Sequence, residues 1–157
     1  MISTFLKTKI IDDFGSVAAL RNLIFQTAMA LHGSGWVWMV VGPMGNLRIL
    51  ATFNAGSPFD LDSRQSMDPS TGLDVDKGLG KKSGPGPRAR PNRRHEYLLL
   101  PVLGLNCWEH AYVLDYGSSI DGKREYLKNW WASVNWRRVY DVVKRRQESL
   151  ITAPNVQ

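Results

Sequence analysis

The stretch LLLPVLGLNCWEHAY, residues 98–112, joins an apolar run of strand length to a cluster of polar and aromatic side chains. The run from Tyr97 to Leu105 predicts a β-strand, and WEHAY, residues 108–112, predicts a turn of helix directly after it. Asn106 and His110 lie at this junction, which makes it the candidate functional site. The polar and aromatic side chains suggest an active site. The amide of Asn106 carries no charge, however, so the junction could equally be the place where an active site used to be.

The sequence before this junction predicts one helix and a hairpin. Apolar residues recur at helical spacing over residues 15–31, after the short polar side chains of residues 12–16 that favour a helix start and before a stop at Gly33. Two β-rich runs, residues 36–41 and 47–53, follow and are joined by the Gly- and Pro-containing turn of residues 42–46.

The sequence after the junction predicts two more helices. The first covers residues 124–133 and the second residues 136–150, with Val139, Val142 and Val143 on the buried side. Together these elements predict an α+β fold, in which helices cover one side of a small three-stranded antiparallel sheet.

Residues 60–95 interrupt this pattern. They are rich in Gly, Pro, Ser and charge, with the acids first and the bases second, and apolar residues recur there at neither strand nor helix spacing. A connection of this length inside a compact domain is usually functional or disordered. We therefore interpret residues 1–157 as one domain with a low-complexity charged insertion at 60–95, flexible when free.

The composition limits the class of protein. A chain of 157 residues suits one domain, and 43% hydrophobic residues exceed what disordered chains contain. A single cysteine excludes an intrachain disulfide and fits a reducing compartment or the mitochondrial matrix. No apolar run approaches the roughly 20 residues that span a bilayer, so we expect no membrane partner. The first eleven residues are too short and too poor in arginine to be identified as an import signal.

The positive charge is concentrated in one segment. The chain has a formal charge of +6, yet residues 77–95 contain seven Lys and Arg and no acid, so the remainder is close to neutral. Within it, GKKSGPGPRARPNRR, residues 80–94, combines extended backbone with bases at variable spacing, as in segments that order on RNA. The predicted RNA-binding residues are Lys81, Lys82, Arg88, Arg90, Arg93 and Arg94. The alternative is a tolerated, solvated surface insertion.

Several literal strings resemble the carboxy-terminal domain of iron/manganese superoxide dismutases. They are DDFGS (12–16), HGSGWVWMVV (32–41), LRILATFNAGSPF (47–59), LLLPVLGLNCWEHAY (98–112) and YLKNWWASVNWRRV (126–139). The resemblance implies that domain's α+β fold. It also implies a metal site of three His and one Asp, in which an amino-terminal helical hairpin supplies two His and a D-x-W-E-H motif supplies the rest.

This chain departs from the family's metal site. His110 matches the histidine of the motif, but Asn106 stands where the aspartate is expected, and Val113 replaces a tyrosine at the active-site boundary. The matching strings start at the first helix of the carboxy-terminal domain, so we expect the hairpin and its two His to be absent. His32 and His95 lie in the wrong places to substitute. An amide oxygen is neutral and a weaker donor than a carboxylate, so we interpret the site as vestigial, with no catalytic residue, metal or cofactor.

The resemblance also implies an interface. In the family the glutamate of the motif forms a hydrogen bond across a two-fold axis to the partner's metal histidine, and this contact does not require the metal. Glu109 and His110 are therefore predicted as dimer-interface residues. The alternative is that they satisfy each other, or nearby backbone, within one monomer.

Three other sets of residues have two interpretations each. The six tryptophans suit core packing better than a base-stacking platform, and Cys107 suits a buried, inert thiol better than a reactive one. The bases of the last helix form either a solvated face or phosphate contacts; they are Arg137, Arg138, Lys144, Arg145 and Arg146.

These observations favour a structural function. The sequence resembles the catalytically inactive dismutase-like proteins of the mitochondrial small ribosomal subunit, which pair with one another. The resemblance implies a scaffold in the mitochondrial matrix that contacts a second dismutase-like subunit, other ribosomal proteins and ribosomal RNA. The alternatives are a superoxide dismutase half completed by a separate hairpin, and a protein-interaction module that binds no RNA.

Overall fold

The computed structural model describes residues 2–59, 66–67 and 99–152. In chain order the described helices are α1 (Thr4–Phe14), α2 (Val17–Ala30), α3 (Val113–Tyr116), α4 (Ile120–Ser133) and α5 (Trp136–Thr152). The strands are β1 (Gly35–Val41), β2 (Leu47–Phe53), β3 (Ser66–Met67) and β4 (Leu100–Asn106). None of the helices in this part of the chain combines the length and apolarity needed to cross a membrane.

The four strands form one antiparallel sheet in the order β3-β2-β1-β4. In the two central pairings Trp38 lies opposite Leu50 of β2 and Gly104 of β4, and the β1–β4 register shifts by one residue after Met39. The hairpin turn closes with a hydrogen bond from the Gly42 amide to the Asn46 carbonyl oxygen, at 2.8 Å. The three predicted strands are confirmed. The two-residue strand β3, inside the interval predicted to be an insertion, was not predicted.

The helices cover one face of this sheet, as predicted. Side chains at alternate strand positions, such as Val37, Met39 and Ile49, point into the main core, where they join fully buried residues of the helices such as Leu20 and Leu127. Because strand side chains alternate between faces, the residues between them lie on the other face. There Val40, Leu50 and Leu99 form a smaller cluster with Trp38.

The prediction for residues 12–16 is wrong in part. Asp12 and Asp13 do not begin a helix; they lie in the last turn of α1, which the sequence analysis did not predict. Gly15, at a φ of 82°, ends α1, and the Ser16 hydroxyl caps α2 by accepting a hydrogen bond from the Ala19 amide at 2.9 Å. The missed signal is the pair Leu6 and Ile10, which lie one helical turn apart and are both fully buried.

The tryptophans lie at the margins of the core. Trp130, Trp131 and Trp136 pack against the main core while remaining partly exposed. On the opposite face of the sheet, Trp36 stacks on Trp38 with ring centroids 5.1 Å apart. The core interpretation is therefore confirmed for the helical tryptophans and for Trp38, none of which is fully buried.

Most of the predicted insertion lies outside the described residues. This applies to its predicted flexibility and to all six bases predicted to bind RNA, Lys81, Lys82, Arg88, Arg90, Arg93 and Arg94, and also to His95.

Candidate functional site

The end of β4 is held by both oxygens of Asn106. The side-chain Oδ1 accepts a hydrogen bond from the backbone amide of Trp108 at 2.9 Å, which closes the turn that leaves the strand. The backbone carbonyl oxygen accepts one from the hydroxyl of Tyr126 at 2.9 Å, which ties β4 to α4. The side-chain oxygen of Asn106 is thus already used in a structural hydrogen bond.

Cys107 is buried directly beside this turn. It is 1% exposed, and its backbone amide donates to the Gly35 carbonyl oxygen at 2.9 Å. Burial raises the pKa of the Cys107 thiol from its ordinary value of 9.0 to about 11, against the opposing charge of Lys123. The prediction of a buried cysteine is confirmed, and the raised pKa keeps the thiol protonated and unreactive at neutral pH.

A cluster of two tyrosines and a lysine packs next to this turn. The sequence analysis did not predict this cluster. The rings of Tyr112 and Tyr126 stack with centroids 5.4 Å apart. Lys123 places its ammonium 6.0 Å from the Tyr112 ring centroid and donates to the Leu31 carbonyl oxygen at 3.2 Å. Burial raises the pKa of both tyrosines, and for Tyr112 the charge of Glu109 adds to the effect. Because Lys123 and Leu31 are far apart in the chain, no local pattern indicates this contact.

Glu109 and His110 lie on the surface in a short 3-10 turn, Glu109–Ala111. The His110 ring lies against Trp108, with ring centroids 5.5 Å apart and planes tilted by 42°. Within the described ranges, neither the Glu109 carboxylate nor the His110 imidazole makes a hydrogen bond or an ion pair. The two polar groups are therefore not satisfied by each other, and both are open to a partner.

The fold and this turn define a class of protein: an α+β domain of the dismutase type, whose sheet ends in a tryptophan–glutamate–histidine turn. The chain belongs to the iron/manganese superoxide dismutase family, because the model of that family's C-terminal domain matches residues 2–75 and 88–142. The match omits residues 76–87, which lie within the predicted insertion.

The curated relatives include both enzymes and a ribosomal protein. The chain is 31% identical to a manganese superoxide dismutase of Acinetobacter baylyi over 87% of this chain and 45% of that protein. It is 33% identical to the small ribosomal subunit protein mS43 of Schizosaccharomyces pombe over 80% of this chain and 41% of that protein. An iron superoxide dismutase of Escherichia coli is 30% identical over 80% and 45%. The chain spans under half the length of these relatives.

The described residues do not fit the iron or manganese site of the family. They offer one exposed imidazole, His110, and one neutral amide, Asn106, whose oxygen is engaged with the Trp108 amide. His32 is exposed after α2, with its Nδ1 2.9 Å from the Ala30 carbonyl oxygen. No group of three or more His, Cys, Asp or Glu side chains converges anywhere in the described part of the chain. A hard, redox-active metal ion requires more anionic or imidazole ligands than these.

Proposed function

We propose that this chain is a non-catalytic, dismutase-like scaffold protein of the mitochondrial small ribosomal subunit, located in the matrix. The observation that carries the proposal is Asn106: the position of the family's carboxylate ligand holds a neutral amide whose oxygen closes a turn. The site thus keeps its structural hydrogen bonds without the charge that a metal requires. The small ribosomal subunit protein of Schizosaccharomyces pombe supports a ribosomal function for this chain.

The turn that contains Glu109 and His110 is the proposed joint to a second dismutase-like subunit. Both side chains are exposed and lack partners within the described residues, so each can pair with the opposite group of a subunit related by a two-fold axis. A carboxylate–imidazole hydrogen bond at such an axis is charge-assisted and geometrically specific. Leu114, 94% exposed in the adjacent α3, adds apolar surface beside this pair.

The basic insertion is the proposed contact with ribosomal RNA or with neighbouring proteins. Its bases, Lys81, Lys82, Arg88, Arg90, Arg93 and Arg94, supply the positive charge on a chain that is otherwise close to neutral. Each phosphate that they neutralise releases counterions, so the affinity for RNA should fall steeply with salt. If a structured RNA binds with equal affinity at low and moderate salt, or fails to bind, the chain is better described as a protein-interaction module.

Sedimentation of a mitochondrial lysate through a sucrose gradient tests the proposal. We expect the protein to travel with the small ribosomal subunit at low salt, and its peak to contain less than stoichiometric iron and manganese. Migration near the top of the gradient as a metal-loaded dimer would reject the ribosomal function.

The second candidate is a superoxide dismutase half that is active when a separate chain supplies the amino-terminal hairpin. The identity to manganese and iron dismutases, 31% and 30%, favours it. The test adds the hairpin of a dismutase to the wild-type chain and to the Asn106→Asp variant and measures bound metal. Stoichiometric metal in the wild-type mixture would support this candidate. Metal only in the variant would identify Asn106 as the missing ligand, and metal in neither would indicate that the pocket is lost.

A further inference from the structure

A cleft of about 360 Å³ lies between α5 and the start of β4, away from the turn that holds Glu109 and His110. Leu100 forms the strand side. The helix contributes Val142, Arg145, Arg146 and Ser149, which are spaced i, i+3, i+4 and i+7 and therefore lie on one helical face. The cleft is thus built from regular elements, which hold its walls in place.

Arg146 has an unsatisfied donor in this cleft. Its Nε is excluded from solvent and, alone among the side-chain nitrogens and oxygens buried in the described residues, has no hydrogen-bond partner. An arginine stays protonated at any physiological pH, so it cannot remove the unpaired donor by losing a proton. A buried donor without an acceptor destabilises the fold, and more so when the group is charged. The Nε itself is out of reach of a ligand, so an outside acceptor would pair with the Nη nitrogens of the same guanidinium, which are not solvent-excluded and make no hydrogen bond within the described residues.

The residues around Arg146 make the cleft positive. Arg145 is exposed and makes no ion pair within the described part of the chain. The nearest acid along the helix, Glu148, pairs with Lys144 at 3.8 Å and is not among the lining residues. The Ser149 hydroxyl donates to the Arg146 carbonyl oxygen at 2.7 Å, so its proton is already used within the helix. Two guanidinium groups without a carboxylate favour an anion as the occupant.

We propose that this cleft binds a backbone phosphate of RNA, an inference that rests on the proposed ribosomal function. The Arg146 guanidinium can hold two oxygens of that phosphate in parallel, and the positive charge of Arg145 adds to the attraction. The volume exceeds that of a lone carboxylate and suits a nucleotide-sized group, whose ribose can lie on Leu100 and Val142.

Two of the bases proposed to contact RNA, Arg93 and Arg94, precede Leu100 of the cleft by seven and six residues in the sequence.

The first test measures the site without RNA. Inorganic phosphate is titrated into the full chain while the arginine Nε–H signals are followed by nitrogen-15 NMR, and the Arg146 signal is assigned by its loss in Arg146→Gln. We expect a saturable shift of the Arg146 signal while those of Arg137 and Arg138, exposed on the same helix, stay in place. An unmoved Arg146 signal, or equal shifts of all three, would overturn the proposal.

The second test compares two variants with the same change in charge. We expect Arg145→Gln/Arg146→Gln to weaken binding of a structured RNA hairpin about tenfold at 0.1 M salt. Loss of the one phosphate contact should also reduce the slope of log affinity against log salt by about 0.7–0.9. The control, Arg137→Gln/Arg138→Gln, should change the slope by less than half as much. If the two double variants weakened RNA binding equally, the RNA would be attracted by the overall positive charge of the helix. That result would reject the proposed phosphate site in the cleft. Should the first variant fail to fold, Arg145→Gln and Arg137→Gln, both at exposed positions, replace the pairs.

The outcomes separate this inference from the proposed function. If the protein does not travel with the small ribosomal subunit but its Arg146 signal saturates with phosphate, the ribosomal function fails and the anion site stands. If an acidic peptide such as tetraglutamate moves the signal and phosphate does not, the occupant is a carboxylate of a protein and the RNA proposal is rejected.

Discussion

At the scale of the residue, Asn106 decides the interpretation of the site. The sequence resemblance predicts a carboxylate metal ligand at this position; the amide keeps an acceptor oxygen for the Trp108 backbone and lacks that charge. Its backbone oxygen also receives the Tyr126 hydroxyl, a contact that any residue at this position would preserve. The hydrogen bond that the Asn106 side chain accepts from the Trp108 amide therefore does not depend on the negative charge that a metal ligand would supply.

The variant Asn106→Asp tests that separation. A carboxylate oxygen can accept the Trp108 amide as well as the amide oxygen does, so we expect the free energy of unfolding to change by less than about 1 kcal/mol. We also expect the variant chain alone to bind less than stoichiometric iron or manganese, because His110 is the one imidazole at this turn. Urea unfolding and elemental analysis measure the two quantities. Full metal loading of the variant without a hairpin would show that the metal-site interpretation is wrong.

Cys107 makes a second residue-scale prediction, for the dependence of stability on pH. Its pKa is 9.0 ordinarily and about 11 in the folded state, so between these values the unfolded chain releases the thiol proton first. The contribution of the buried thiol to the free energy of unfolding is fully present below about pH 9. It decreases as the pH rises toward 11, by about 2–3 kcal/mol in total.

Urea unfolding at pH 8 and pH 10.5 measures this loss. The burial-raised pKa values of Tyr112 and Tyr126 act in the same direction, so the difference between wild type and Cys107→Ala isolates the thiol. An identical pH dependence in the two proteins would contradict the assignment.

At the scale of the element, the connection from α3 to α4 depends on close backbone approach. Gly122 lies in the first turn of α4, where its amide donates to the hydroxyl of the capping residue Ser119 at 3.0 Å. A methyl group at Gly122 would overlap the carbonyl oxygen of Tyr116, a backbone atom that cannot rotate away. The position of α4, and with it the Tyr126 contact to β4, thus requires glycine.

The substitution Gly122→Ala should therefore destabilise the protein, although alanine favours helices. We expect a net loss of about 1–2 kcal/mol, since overpacking against fixed backbone, up to about 3 kcal/mol, outweighs a propensity gain of about 1 kcal/mol. The control Lys128→Ala changes an exposed position of the same helix and should stay within about 0.5 kcal/mol of wild type. Thermal unfolding measures the change in stability of both variants relative to wild type. A stabilised Gly122→Ala protein would mean that α3 moves away to make room for the methyl group.

At the scale of the whole molecule, the packed core contrasts with the exposed turn that follows β4. Helices seal the core on one side, while the turn with Glu109 and His110 stays exposed at the end of β4. Two exposed polar side chains without partners in the described residues have little to contribute to the stability of an isolated domain. We infer that they contribute instead to association.

The prediction at this scale is that Glu109→Gln weakens the proposed dimer without changing the stability of the fold. Loss of the charge from a buried interfacial pair should raise the dissociation constant of the complex with the second dismutase-like subunit at least tenfold. The control Glu125→Gln removes an equal charge from an exposed position of α4 and should leave association unchanged. Sedimentation velocity over a concentration series measures both. Equal effects of the two substitutions would place the interface elsewhere.

The sequence by itself determined the local elements and predicted a departure from the family's metal site. Apolar spacing and turn residues specified β1, β2, β4 and α2 to within about three residues, because alternation and helical periodicity are properties of neighbouring positions. The identity of Asn106 is equally a fact of the sequence. The prediction missed α1, whose two buried residues, Leu6 and Ile10, are too few to show a period.

Only the tertiary structure decided what these residues contact. The bond from Lys123 to the Leu31 carbonyl oxygen, the stack of Tyr112 on Tyr126 and the unsatisfied Nε of Arg146 all depend on packing between elements. The physical reason is that chain spacing specifies which face of an element is apolar, whereas burial and hydrogen-bond partners depend on which elements meet. That choice is made by the packing of the whole core.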